Sequence, residues 1–274
     1  EFKEPLSMGI ALANEINADV VFGTDPDSDR LGVALKDEKG EFVALSGNQV
    51  GILLLDYILT RLSEENAMPK NAAVVKSFVS TGMAKALCDD YGVALYETPV
   101  GFKFIGEVIK NHEIAGHGTF LLGFEESYGY LSGSYVRDKD AVVSSMLICE
   151  MAAYYKAKGL SLIDVMNSLY DEYGHYSNTQ MSFSFEGITG MKRMAEIMAD
   201  YRENPPKAFN GYKVLSVADY KTAVLPIELR KQMYLRGDLN PYSHYWLPDF
   251  KSDVSTYSTI EASLIFKLTL QRYK

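Results

Sequence analysis

The chain has 274 residues, 47% hydrophobic and 23% charged, the balance of an ordinary globular protein rather than of a disordered chain, and a length that suits about two domains of roughly 100–200 residues. A formal net charge of −9 sets the surface against nucleic acid and anionic membranes, so any anionic ligand needs its own Arg, Lys or metal ion. The most apolar run, Val50 to Leu59, is short and contains Asp56, so it reads as a core helix and not as a membrane span.

Leu6 to Asn17 carries a helical pattern, with Leu6, Ile10, Ala13 and Ile16 on one side, and Asp19 to Phe22 reads as a strand. A Gly/Asp-rich loop, Gly23 to Arg30, comes next. Leu31 to Leu35 and Glu41 to Leu45 form a predicted hairpin around Asp37-Glu38-Lys39-Gly40. Helices are expected at Asn48–Leu62, Thr81–Tyr91 and Phe102–Asn111, and strands at Ala72–Lys76, Val93–Tyr96 and Thr119–Gly123. Strands alternating with helices of this length imply βαβ units and a mostly parallel sheet, where ligands bind beyond the carboxyl ends of strands. The loops after Phe22, Tyr96 and Leu122 are therefore the places to look for chemistry.

From Asp138 onward the pattern changes. Helices are expected at Ala141–Lys156 and Leu160–Tyr173, then a β-prone stretch at Tyr176–Phe185 and a helix at Gly187–Arg202 that stops before Pro205-Pro206. A strand follows at Tyr212–Val217, and the chain beyond about Ala223 has no assigned pattern. A separate α+β domain is expected after a boundary near Tyr173-Gly174. Cys88 and Cys149, both in apolar helical contexts, are expected as reduced, buried thiols of a cytoplasmic protein. The opening Glu1-Phe2-Lys3-Glu4-Pro5 has no initiator Met, which reads as a fragment or a processed chain.

Asp25-Pro26-Asp27-Ser28-Asp29-Arg30 follows a strand directly. Carboxylates at alternate positions of a turn converge on one cation, and hard oxygen ligands suit Mg²⁺ with positions left open for phosphate and water. Arg30 offers a planar fork to a phosphate. An EF-hand is excluded, because its sixth and twelfth positions would be Arg30 and Lys36 where Gly and Glu are required. A haloacid-dehalogenase-type phosphatase with Asp25 as nucleophile stays open, although that class has Thr or Val at the position of Asp29. An Asx-rich turn capped by its own side chains is the plain alternative.

Gly123 to Tyr130 (Gly-Phe-Glu-Glu-Ser-Tyr-Gly-Tyr) follows another strand. Glu125 and Ser127, two apart, project the same way if the loop is extended, and a carboxylate with a nearby hydroxyl suits a hexose. A mobile acidic surface loop is the alternative. Arg137-Asp138-Lys139-Asp140 opens a helix, either as an anion site at its N-terminus or simply with an Asp as N-cap, which is the commoner case. In Glu97 to Gly106, Gly101 lets backbone approach a ligand, and Lys103 sits in a first helical turn, where the helix dipole disfavours a cation.

Taken together these segments resemble the α-D-phosphohexomutase family (phosphoglucomutase/phosphomannomutase). Asp25 to Arg30 is similar to its Asp-Pro-Asp-Ala-Asp-Arg metal loop and Gly123 to Tyr130 to its Gly-Glu-x-Ser sugar loop. Glu97 to Gly106 resembles its Thr-Gly-Phe/Trp-Lys segment, and Arg137 to Asp140 the basic-acidic segment after the sugar loop. The resemblance implies interconversion of hexose 1-phosphate and 6-phosphate, glucose or mannose, through a bisphosphorylated sugar. It implies that Asp25, Asp27 and Asp29 bind Mg²⁺ and that Arg30 meets phosphate. It further implies that Glu125 and Ser127 hold sugar hydroxyls, and that Gly101, Lys103, Arg137 and Lys139 line the sugar-phosphate site.

The implied fold is α/β, mixed sheets flanked by helices, followed by a smaller α+β domain. Residues 1–42 would be the end of the metal-binding domain, 43–172 the sugar-binding domain and 173–274 the α+β domain. The family's Thr-Ala-Ser-His-Asn-Pro phosphoserine loop and Arg-Pro-Ser-Gly-Thr-Glu-Pro phosphate loop are not in these 274 residues, and Val100 stands where the family has Thr. The resemblance therefore implies that this polypeptide alone has no mutase turnover, or serves only to bind sugar phosphate.

Overall fold

The computed structural model describes residues 3–116, 118–176, 187–209, 212–219 and 266–271. It forms two compact units, Glu1–Thr179 and Gln180–Lys274.

The first unit begins with helix α1 (Lys3–Glu15) and strands β1 (Val20–Thr24), β2 (Leu31–Lys36) and β3 (Phe42–Ala44), joined as a sheet in the order β1-β2-β3. Both pairings are antiparallel. This corrects the expectation that β1 ends in the crevice of a parallel sheet. The loop after β1 is a connection between antiparallel neighbours, so its ligand-binding potential rests on its own residues. Asp37 makes the β2–β3 turn by accepting from the N–H groups of Lys39 and Glu41, both at 2.9 Å, while Gly40 takes φ 79°. Leu6, Ala13, Val21, Ala34 and Phe42 bury a small core between α1 and one face of this sheet.

Helix α2 (Gly47–Glu64) starts with a capping box between Ser46 and Gln49, then runs through the buried Val50–Leu55. After it come β4 (Ala72–Ser77), α3 (Met83–Asp90), β5 (Ala94–Thr98), α4 (Phe102–Ala115), β6 (Thr119–Phe124), β7 (Tyr130–Ser132), α5 (Ala141–Ala157) and α6 (Leu162–Tyr173). The sheet order is β5-β4-β6-β7. The first three strands are parallel, and β7, unassigned from sequence, runs antiparallel to β6, so the sheet is mixed.

Val75, Phe120 and Leu131 pack on α4 from one face, while Val74, Leu122 and Phe124 pack on the other side among residues of α2, α3, α5 and α6. Each fully buried side chain of this size, such as Leu54 or Leu122, contributes roughly 1.5–3 kcal/mol. Leu31, Val33 and Leu35 of β2 belong to that larger core, which binds the small sheet into the same unit.

The second unit contains α7 (Gly187–Glu203) and strands β8 (Ala208–Phe209), β9 (Tyr212–Asp219) and β10 (Phe266–Gln271), an antiparallel sheet in the order β10-β9-β8. Of the β-prone stretch Tyr176–Phe185, residues 177–185 lie outside the described residues. Cys88 is buried as expected, but Cys149 is exposed: it lies on the solvent side of α5, whose apolar composition continues all round the helix. Among the described residues, no helix is long and apolar enough to cross a membrane.

Candidate functional site

The acidic loop is a turn built by its own first residue. The Ser28 N–H donates to the Asp25 carbonyl at 3.0 Å, and Ser28 takes φ 57°. Asp25 Oδ1 then accepts from the N–H groups of Asp29 and Arg30 at 3.1 and 3.0 Å. Burial raises the Asp25 carboxyl, but the Arg30 N–H, Asp29 and the Arg30 guanidinium outweigh it and hold the group below its ordinary value. The turn is thus an Asx-type turn closed by Asp25. Asp25, Asp27 and Asp29 each offer a carboxylate oxygen, and these lie within 4.8 Å of one another. A six-coordinate Mg²⁺ with ligands at about 2.1 Å needs oxygens about 3–4 Å apart, so the donor set fits this ion after small side-chain rotations.

A second loop is stitched directly to the first. Arg30 and Gly129 form an antiparallel bridge, and the Leu31 N–H donates to the Tyr128 carbonyl at 3.0 Å. The start of α5 joins them, since the Ala141 N–H donates to the Ser28 carbonyl at 3.1 Å.

The segment from Glu125 to Gly129 is a tight turn, closed by the Glu125 N–H on the Gly129 carbonyl at 2.9 Å with Tyr128 at φ 69°. The two-apart argument for Glu125 and Ser127 presumed an extended loop and does not apply. Glu125 is 4% exposed, and its Oε1 accepts the Gly101 N–H at 2.7 Å. Burial lifts its carboxyl above the usual range. The Gly101 N–H, Lys139 and Arg30 pull the other way without cancelling this. Gly101 makes the contact at φ 118°, a backbone conformation that favours glycine. Ser127 is half-buried.

Lys139 reaches across from the approach to α5. Its Nζ lies 2.7 Å from Asp29 Oδ2 and 3.0 Å from Asp138 Oδ1, and 5.7 Å from the centre of the Phe102 ring at the start of α4. Burial pulls the ammonium down, but Asp29 and Asp138 more than compensate and raise it overall. Arg30 is looser, 3.9 Å from Asp25 and 3.8 Å from Asp29.

Two expected residues stand apart from this cluster. Arg137 pairs with Glu113 near the far end of α4, and Lys103 is exposed, its Nζ over the Phe104 ring at 5.0 Å. The α5 N-terminus is not an open anion site either. Asp140 caps it by accepting from Val142 and Val143 at 2.7 and 3.1 Å, and Ala141 is engaged by Ser28. The capping reading of that segment is the one the structure contains.

Sequence reasoning passed over a polar brace beneath the second loop. Lys76, fully buried at the end of β4, donates to Glu97 Oε1 at 2.7 Å and to the Ser80 carbonyl at 3.2 Å. Glu126 Oε2 accepts from Ser77 Oγ at 2.9 Å and Ser80 Oγ at 3.3 Å, and the Glu126 N–H donates to Ser80 Oγ at 3.1 Å. The available signal was a lysine closing an apolar strand, Ala72-Ala73-Val74-Val75-Lys76, followed by Ser77, Ser80 and Thr81.

Residues 46–173 match the family model described as phosphoglucomutase/phosphomannomutase, alpha/beta/alpha domain III. A phosphoglucomutase of Staphylococcus aureus (strain MRSA252) is 38% identical over 214 residues, which are 78% of this chain and 38% of the relative. Two solved structures share the fold. The phosphoglucomutase pp63/parafusin from Paramecium has TM-score 0.56 at 18% identity over 79% of this chain and 36% of its own. A phosphoglucomutase/phosphomannomutase family protein from Burkholderia thailandensis has TM-score 0.52 at 16% identity over 78% and 39%. This chain belongs to the α-D-phosphohexomutase family, and it spans about 38% of the length of the curated relatives it matches.

Proposed function

We propose that this chain supplies the Mg²⁺ loop and the sugar loop of a phosphoglucomutase-like phosphohexomutase of the cytoplasm. That enzyme would interconvert hexose 1-phosphate and hexose 6-phosphate through a bisphosphorylated sugar and a phosphoserine that these 274 residues do not contain. The supporting observation is the Arg30–Gly129 bridge, which sets three carboxylates beside a turn whose buried Glu125 faces Gly101. Residues 1–42 would close the metal-binding domain, 43–172 form the sugar-binding domain and 173–274 the C-terminal domain.

Asp25, Asp27 and Asp29 would hold Mg²⁺, which when bound supplies Lewis-acid neutralisation of phosphoryl charge. Arg30 and Lys139 bring positive charge to a phosphate in an otherwise acidic chain. Glu125 and Ser127 take sugar hydroxyls, and burial of the Glu125 carboxyl makes a hydrogen bond there stronger than in water. Lys103 and Arg137 join the sugar-phosphate site only if they leave their present positions over Phe104 and beside Glu113.

Calorimetry of the chain with glucose 6-phosphate, with and without Mg²⁺, tests the binding half: Mg²⁺-dependent binding is expected, and its absence refutes the assignment. A coupled mutase assay tests the rest. No turnover is expected from the chain alone, and turnover is expected when a polypeptide bearing the family's phosphoserine loop is added.

A further inference from the structure

Lys139 lies against the acidic loop, the Glu125–Gly129 turn and the start of α4. Its stem lies across Gly129 so closely that a Cβ there would overlap Cδ and stand 2.8 Å from Cγ. Its ammonium faces the Phe102 ring and is salt-bridged to Asp29 with only 13% of the side chain exposed. A lysine held in this way has few alternative positions, and what it pairs with depends on who else claims Asp29 Oδ2.

We propose that Lys139 couples cation and anion binding: its ammonium holds Asp29 when no divalent ion is present, and turns to a phosphate when one binds. This rests on the reading of the acidic trio as a Mg²⁺ site. The physical argument is competition. A divalent ion in the trio needs an oxygen of Asp29 and would stand within about 4–5 Å of an ammonium bonded to that same carboxylate, where like charges repel strongly. Asp138 is a weak substitute partner, being 71% exposed and therefore well solvated.

A phosphate dianion beside the released ammonium restores the lost pairing, so each ligand strengthens the other by the same factor. Arg30 is a poorer coupler, because it is 55% exposed and no closer than 3.8 Å to either Asp25 or Asp29. Replacing Lys139 by a neutral side chain of similar length should therefore tighten the metal site and weaken its coupling to the anion.

The test is Mg²⁺ titration of the whole chain by calorimetry, with and without glucose 1-phosphate, in wild type and Lys139→Met. Mg²⁺ should bind the variant on the order of tenfold more tightly, and glucose 1-phosphate should raise Mg²⁺ affinity severalfold less in the variant than in wild type. Equal or weaker Mg²⁺ binding by a folded Lys139→Met overturns the proposal while leaving the metal site standing. A wild type that binds no Mg²⁺ overturns both. Amine acetylation of wild type, read at Lys139 by mass spectrometry, needs no variant: labelling should rise severalfold with saturating Mg²⁺ and fall again with glucose 1-phosphate. Labelling indifferent to Mg²⁺ overturns the proposal.

Discussion

Removing the Glu126 carboxylate should unhinge the Glu125–Gly129 turn from the sheet beneath it. Glu126→Ala deletes the acceptor of two hydroxyl bonds, from Ser77 Oγ at 2.9 Å and Ser80 Oγ at 3.3 Å. Both serines are buried, at 0% and 2% exposure, so water does not readily replace the lost partner. Each hydroxyl has one proton, so their 2.7 Å contact becomes a hydrogen bond once Glu126 no longer accepts from both, which retains part of their pairing. A hydrogen bond to a charged group contributes about 1.5–3 kcal/mol, and the longer Ser80 bond belongs at or below the low end. The expected loss is therefore about 2–4 kcal/mol. Urea unfolding followed by circular dichroism should report it as a lower midpoint with an unchanged slope. Glu126→Gln keeps an acceptor without the charge and should lose roughly half as much. A loss below about 0.5 kcal/mol for Glu126→Ala, the level of an ordinary surface substitution, would refute the claim that this carboxylate anchors the turn.

Gly47→Ala would place a Cβ inside the Glu126 carbonyl oxygen and 2.9 Å from the Tyr128 nitrogen, both backbone atoms. A cost of about 2–4 kcal/mol is expected by chemical denaturation, with weakened glucose 6-phosphate binding because the same loop carries Glu125. Asp56 is 8% exposed, and burial raises its carboxyl pKa, with Glu172 adding to the rise and the Tyr155 hydroxyl opposing it at 2.9 Å. A folded-state value above the unfolded one means that the cost of ionising Asp56 is absent at acid pH. It grows as pH rises through the unfolded value and is complete above the folded one. Asp56→Asn should therefore raise the neutral-pH melting temperature by roughly 2–4 °C, about 1 kcal/mol, and the gain should vanish when melting is repeated near pH 3. Asp27 is exposed, and the turn is hydrogen-bonded through Asp25, so Asp27→Asn should leave thermal stability unchanged while weakening Mg²⁺ binding by about tenfold or more in calorimetry.

Local chemistry was legible wherever it depends on neighbours in the chain. Asp25 to Arg30 declares a carboxylate turn because its bonds run over four or five positions, from Asp25 to Asp29 and Arg30. The Asp140 cap and the Asp37 turn likewise use contacts within a few residues. The main helices and strands of the first unit follow from apolar periodicity, which any buried face imposes on its own segment.

What pairs across the fold was decided by tertiary structure alone. Asp29 and Lys139 are 110 positions apart, as their numbers show, and nothing local to either distinguishes Lys139 from Arg137, two residues earlier and paired instead with Glu113. Periodicity marks β1 as a strand but is silent on its neighbour, so the antiparallel partner β2 had to come from the packed sheet. Lys76 was hidden for the same reason, since its partner Glu97 ends a different strand that becomes adjacent only when β4 and β5 align in parallel. Residue type and spacing fix which groups are available to bind a ligand; the packing of β2, β4 and α5 against one another determines which of them meet.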